Sequence, residues 1–259
     1  MEYQHANAAF CEKLLTYWYT KILNPGDTCL DVGARVGHHF VPMARRVGQA
    51  GQALGIEANA EVAAELRERI QSIGGLPGDM EIVSVAASSQ SGEASFFIRE
   101  DFQGWSSMYE THVHPSEVKD AKIESVKTET LDRIFRDLGW SKCDFIKLDI
   151  EHSEFPALMG AEEILKSMQP VVVFENSPRV AARLNDYSLE EFVEYFQNID
   201  YELYDIFFNK VTIERLKTDA VLPSYYLCYP ISKEVQISNL KVDYNSHCSS
   251  LIEGMDIAA

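Results

Sequence analysis

Apolar positions recur at helical spacing near the start of the chain. Phe10, Leu14, Tyr17, Trp18 and Ile22 fall on one stripe, which predicts an amphipathic helix over residues 7–22 that packs on a core. Asn24-Pro25-Gly26-Asp27 then marks a turn. The pattern changes at residues 28–32, a short apolar run with a β-branched residue and no polar alternation before Asp31, as in a buried parallel strand. Beyond a tight turn at residues 33–37, the same reading predicts helices over 38–46 and 61–73 and a strand over 52–56. Strands follow at 81–87 and 94–99, then an irregular stretch over 101–115. The second half predicts helices at 130–138, 155–168 and 189–198, with strands at 143–150, 171–175, 202–207 and 225–229. Strands alternating with helices imply a doubly wound α/β fold, a mostly parallel sheet covered on both faces. No internal repeat or low-complexity linker divides the chain. One domain over residues 1–230 is expected, with residues 231–259 as a peripheral tail.

Composition narrows the function classes. The 259 residues are enough for a core without disulfide staples. The formal net charge is −17, and the densest basic run is Arg45-Arg46, which argues against a bulk nucleic-acid partner or an anionic membrane surface. The five cysteines form no C-x-x-C pair, so a structural zinc site is not expected. An odd cysteine count, an N-terminus without a basic and then apolar leader, and no bilayer-length apolar run point to reduced thiols in the cytoplasm.

The candidate chemistry centres on Asp31-Val32-Gly33-Ala34-Arg35-Val36-Gly37, between a buried strand and a helix. Ligands of open α/β sheets bind beyond the carboxyl ends of the strands. Gly33 permits a turn that brings backbone close to a ligand, and Gly37 lets the next helix approach the sheet. The run is not G-x-G-x-x-G. A pyrophosphate would be repelled by Asp31, whereas an ammonium, such as that at the methionine end of S-adenosylmethionine, would be favoured. The alternative is a plain structural turn. Glu57, at the tip of the second strand, is placed to accept hydrogen bonds from ribose hydroxyls, or else to serve the start of the next helix. Asp149-Ile150-Glu151-His152 ends a central strand; alternation would aim Asp149 and Glu151 into the crevice if the strand extends that far. Asp149 is the first candidate for a base or acceptor-orienting group and His152 the second. Asp149, Glu175 and Asn176 are a candidate oxygen-ligand set for Mg²⁺, the alternative being backbone hydrogen bonds at a loop. Within residues 101–115, Gly104, Trp105, Tyr109, His112 and His114 belong to a candidate substrate-covering loop, with Ser106-Ser107 approaching the cofactor.

In these motifs the chain resembles the FkbM family of methyltransferases. The resemblance runs from Pro25-Gly26-Asp27 and Asp31-Val32-Gly33-Ala34 through Gly55-Ile56-Glu57 and Val85-Ala86-Ala87-Ser88. It is most specific at Phe145-Ile146-Lys147-Leu148-Asp149-Ile150-Glu151, followed by Glu154 and Gly160-Ala161, and it closes at Val171-Val172-Val173-Phe174-Glu175. It implies a class I, Rossmann-like methyltransferase fold: a seven-stranded, mostly parallel sheet with one late antiparallel strand. It also implies S-adenosylmethionine as donor and most often a hydroxyl acceptor, here on a small molecule or glycan. By position, Asp31, Gly33 and Gly37, with Ala34 and Arg35 in the same turn, are implied to line the methionine portion. Glu57 would line the ribose, Ala58 after it would be a further cofactor-binding residue, and Ala86 would leave room for the adenine. The family usually carries Asn-Ile-Gly where this chain has Arg35-Val36-Gly37, and Gly where it has His152.

Three other readings compete. An N-methyltransferase would want an Asn/Asp-Pro-Pro-Tyr/Phe run where Asp149-Ile150-Glu151-His152 stands. A dehydrogenase would want a third glycine. A non-catalytic binding or scaffold protein on a retained fold would draw its support from Arg35 and His152. The pattern names no acceptor and sets no oligomeric state.

Overall fold

The computed structural model describes residues 2–98, 106–109, 122–220 and 222–241. A helix, α1 (Glu2–Ile22), precedes the first strand, β1 (Thr28–Val32). Then come α2 (Phe40–Val47), β2 (Gln52–Ile56), α3 (Ala60–Ser72) and β3 (Asp79–Val83). Three strands, β4 (Ala86–Ala87), β5 (Gly92–Ile98) and β6 (Lys122–Glu129), lead to α4 (Leu131–Leu138) and β7 (Phe145–Leu148). The chain continues through α5 (Glu154–Met159), α6 (Glu162–Met168), β8 (Val171–Glu175), α7 (Pro178–Leu184) and α8 (Leu189–Asn198). It closes the sheet with β9 (Tyr201–Asp205), α9 (Ile213–Thr218) and β10 (Tyr225–Pro230).

Seven strands form one sheet in the order β3-β2-β1-β7-β8-β10-β9. The pairs from β3 to β8 are parallel, and β10 runs antiparallel to both β8 and β9. The expected class I fold, with its late antiparallel strand, is therefore the fold of this chain. The order reverses between β1 and β7, which opens the crevice where ligands of such sheets bind.

Alternation along the strands sorts the core into two layers. Leu30, Val32, Ile146, Leu148, Val172 and Phe174 face a layer with Phe135, Phe155, Phe192 and Phe196. Cys29, Phe145, Val171, Val173 and Leu227 face the other, with Leu14 and Trp18 of α1 and Phe40 and Met43 of α2. The predicted stripe of α1 is this second contact: Trp18 and Leu14 are fully buried.

Several elements differ from the pattern-based expectation. The strand expected over residues 81–87 is two strands in two sheets: β3 stays in the main sheet, while β4 joins a separate three-stranded sheet, β4-β6-β5. β6 was not anticipated. Its side chains are mostly polar or exposed; the small sheet's buried apolar cluster is its own Ala86, Phe96, Ile98 and Val126, with Ala58 and Met108 packed against it. The helix expected over 155–168 is broken at Gly160-Ala161. A Cβ on Gly160 would lie 2.1 Å from the Ser88 carbonyl oxygen, so the close approach of that backbone demands glycine. The short α7 and α9 were also not anticipated. Residues 231–241 form a 3₁₀ turn and a helix, and Ile237 is fully buried against the α1 layer, so this part of the expected tail packs on the core. Residues 242–259 lie outside the described residues, as do Gly104, Trp105, His112 and His114 of the candidate covering loop.

Candidate active site

A pocket opens at the carboxyl ends of β1, β2 and β7. It is lined by Gly33, Arg35, Glu57, Ala58, Ala86, Ser106, Asp149 and Glu151 among the anticipated residues, and by Val85, Phe96, Met108, Ile150 and Ser153 among others. Its floor is the glycine turn. The Gly33 and Ala34 amides both donate to the Ile56 carbonyl, at 2.8 and 3.0 Å, which folds the turn across the end of β2. Gly33 has φ +83°, and a Cβ there would lie 1.9 Å from the Asp149 carbonyl oxygen. No other residue fits between the two strand ends.

Glu57 is fixed from both sides. Its Oε2 accepts from the Arg35 amide at 2.9 Å and its Oε1 from the Asn59 amide at 2.9 Å. Burial pushes its carboxyl up from the ordinary value, and the two amide hydrogen bonds oppose that shift. Each oxygen keeps a lone pair for a further donor.

Arg35 stands at φ +48° and contributes its amide, not its side chain, to Glu57. His152 stands at φ +78°, beside Glu151 at +52°. Both departures from the family pattern thus occupy left-handed positions, where Asn and Gly are the residues of least strain.

The strand alternation expected at Asp149 does not apply, because β7 ends at Leu148. Asp149 and Glu151 both line the pocket, whereas His152 does not. The chain at His152 turns away, and its carbonyl accepts from Asn185 Nδ2 at 2.9 Å. Ala34 and Gly37 are likewise outside the lining. Ala34 is buried in the α1 layer, and a Cβ on Gly37 would lie 2.5 Å from Leu66 of α3. Of the expected Ser106-Ser107 pair, Ser106 lines the pocket and Ser107 does not; the Ser107 hydroxyl donates to the Glu151 carbonyl at 3.1 Å.

Asp31 is also outside the lining, and its real partner was not anticipated. Lys147, in the middle of β7, is 2 % exposed and sits 3.1 Å from Asp31 Oδ1 and 3.6 Å from Asp149 Oδ2. Its ammonium also donates to the Gly33 carbonyl at 3.3 Å. Burial alone would push this lysine down, but the two carboxylates outweigh it and hold the ammonium above its ordinary range. The register explains the meeting: Asp31 pairs with Lys147 across β1 and β7, and both point to the α1 side. A lysine among Phe145, Ile146 and Leu148 was the available sequence signal, since a buried cation needs an anionic partner.

The same side carries more polar groups. Glu175 pairs with Tyr225 across β8 and β10. Burial, and then Asp149, drive the Glu175 carboxyl far above the carboxylate range. The Tyr225 hydroxyl donates to Glu12 Oε1 of α1 at 3.1 Å, and Glu12 Oε2 lies 2.7 Å from His39 Nε2. The His39 hydrogen bond holds the Glu12 carboxylate below its ordinary range, despite burial. A polar seam therefore runs from the glycine turn to α1 within an otherwise apolar layer. Glu12, His39 and Tyr225 lie far apart in the chain, with no local motif to announce them.

The candidate Mg²⁺ ligands do not form one set. Asp149 and Glu175 meet, and Asp149 also lies 3.6 Å from Lys147, but Asn176 lines a different pocket with Pro178 and Arg179. No three His, Cys, Asp or Glu side chains among the described residues group as metal ligands. No helix among them is long and apolar enough to cross a membrane.

The fold is similar to that of the methyltransferase FkbM from Methylobacillus flagellatus KT, at 14 % identity and a TM-score of 0.48, over 82 % of this chain and 50 % of that one. This chain thus spans half the length of that protein. A SAM-dependent methyltransferase from Aquifex aeolicus matches at 14 % identity and a TM-score of 0.41, over 84 % of this chain and 86 % of that one. Aeropyrum pernix fibrillarin, solved with natively bound S-adenosyl-L-methionine, matches at 11 % identity and a TM-score of 0.44, over 80 % and 68 %. No curated protein is significantly similar in sequence. The methyltransferase FkbM domain profile matches residues 31–203, more than half the chain and the span that holds both the glycine turn and the Lys147–Asp149 strand end. With its sheet order, its turn and its profile in agreement, the chain belongs to the FkbM family of methyltransferases.

Proposed function

We propose that the chain transfers a methyl group from S-adenosylmethionine to a hydroxyl of a small molecule or glycan, as one domain to which residues 231–241 also belong. The observation that carries this reading is the acidic character of a pocket built on a glycine turn. Glu57 and Asp149 line it beside Glu151, whose carboxyl burial and then Asp149 raise to about 8, and the Arg35 backbone is used to orient Glu57. Such a pocket repels a pyrophosphate and favours a ligand with a cationic sulfonium and ammonium. The residues present fit that ligand. Glu57 offers two oriented oxygens for the ribose, Ala58 and Ala86 leave room for a flat base, and Gly33 leaves the backbone bare for the amino-acid end.

When bound, S-adenosylmethionine supplies an electrophilic methyl on sulfur. The chain's part is to hold an acceptor oxygen in line with that carbon and near contact. Asp149 is placed to orient the acceptor hydroxyl and accept its proton. Lys147 lies 3.6 Å from Asp149 Oδ2 on one side, and Glu175 of the next strand hydrogen-bonds to Asp149 on the other. The buried thiols Cys11, Cys29, Cys143 and Cys228 are free, which fits action in a reducing compartment such as the cytoplasm.

The test is transfer of labelled methyl from S-adenosylmethionine across a panel of sugars, polyols and phenols. A base-stable methyl ether is the expected product, and methylation of amines alone would contradict the hydroxyl reading. Asp149→Asn should lower turnover by about 10²–10⁴-fold, the scale of a lost general base, with S-adenosylhomocysteine affinity retained. Near-normal turnover would remove Asp149 from that role.

A further inference from the structure

Two consecutive left-handed residues follow β7: Glu151, which lines the pocket, and His152, just outside it. Such a turn persists only where its surroundings over-determine it. Both of its carbonyls are engaged by side chains from elsewhere. The Glu151 carbonyl accepts from Ser107 Oγ at 3.1 Å, and the His152 carbonyl accepts from Asn185 Nδ2, beyond α7, at 2.9 Å. The two donors are themselves joined. The Tyr109 amide donates to Ser107 Oγ at 3.1 Å, and the Tyr109 hydroxyl bonds to Asn185 Oδ1. A closed ring of hydrogen bonds thus links residues 107–109, the turn after β7 and Asn185.

Residues 106–109 also have a second attachment. Ser107 exchanges two backbone hydrogen bonds with Phe97 of β5, at 2.8 and 3.1 Å. The segment is therefore tied to the small sheet on one side and to the β7 turn on the other, with the pocket between them. Its side chains alternate. Ser106 and Met108 line the pocket, while Ser107 and Tyr109 reach away to make the ring.

We propose that Ser107, Tyr109 and Asn185 are positioning residues forming a clasp across the cofactor pocket, and that this clasp sets how long the cofactor stays bound. This rests on the cofactor reading above. A ligand beneath a strip tied on both sides leaves when one tie opens. Weakening the ring should therefore appear in the dissociation rate, although none of the three side chains lines the pocket.

The experiment is a chase of tritiated S-adenosylhomocysteine from the full chain, comparing wild type with Tyr109→Phe, Asn185→Ala and the double variant. Ser107→Ala stands in should Asn185→Ala fail to fold, since Tyr109→Phe keeps the ring that packs there. The expected result is dissociation faster by about two- to tenfold in each single variant, the scale of one neutral hydrogen bond. The double variant should dissociate no faster than the product of the singles, as for residues in one network. Unchanged dissociation in the single variants, even with lowered thermal stability, would reduce the ring to a structural brace and overturn the clasp alone. Failure of the wild type to bind S-adenosylhomocysteine would overturn the cofactor reading and the clasp with it.

Discussion

Arg35 and His152 depart from the family pattern, and their backbone angles explain what the pattern is for. At φ +48° and +78° each stands where an L side chain crowds its own backbone. Arg35→Asn and His152→Gly should each stabilise the chain by about 0.5–1 kcal/mol, net of the extra freedom that glycine brings to the unfolded state. Thermal or urea unfolding measures this, and a loss of stability would show that the native side chains contribute more than the strain costs. The role of the left-handed positions was not legible in the sequence, since a backbone angle leaves no mark when the residue there is not glycine. Glu57 and Gly33 were legible, because an acid at a strand tip and a glycine in a strand-to-helix turn carry their geometry with them. Lys147 was visible but its role was not, because its partner Asp31 is joined to it only by sheet register.

The connection from β7 to α5 shows what one element adds to the site. Glu154, the first residue of α5, is fully buried, and its Oε1 accepts from the Ile150 amide at 2.8 Å, holding the turn that presents Asp149 and Glu151. Burial raises its carboxyl from 4.5 to about 8, with the amide bond opposing. A carboxyl raised in the fold contributes stability that is fully present below the unfolded value. That stability is lost as pH rises through the folded one. Between about pH 5 and 8 the fold holds a proton that the unfolded chain has released, so stability falls by about 1.4 kcal/mol per pH unit for this group. Glu154→Gln should remove that slope in unfolding curves taken at several pH values. An unaltered slope would mean that Glu154 is ionised in the fold. The buried parallel strands β1, β2 and β8 were readable as continuous apolar runs. β6 was not, because a strand on a partly covered sheet has no such run, and the break between α5 and α6 was hidden because it depends on the approach of Ser88 from another element.

At the scale of the molecule, the sheet places two kinds of chemistry on either side of the reversal between β1 and β7. The glycine turn, Glu57 and the small residues Ala58 and Ala86 lie on the β2 side. The polar seam of Glu175, Tyr225, Glu12 and His39 lies on the β8 side, beneath α1. The division was legible only as a fold class. Alternating strands and helices imply a crevice at the reversal, but which side chains meet there depends on register and on a helix that begins the chain. The proposed place of S-adenosylmethionine on the β2 side is read out by calorimetric titration of the chain with S-adenosylhomocysteine, with Glu57→Ala alongside. One-to-one binding is expected, weakened by about 1–3 kcal/mol in the variant, the scale for hydrogen bonds to a charged group. No binding up to millimolar ligand, or equal affinity in the two proteins, would contradict it.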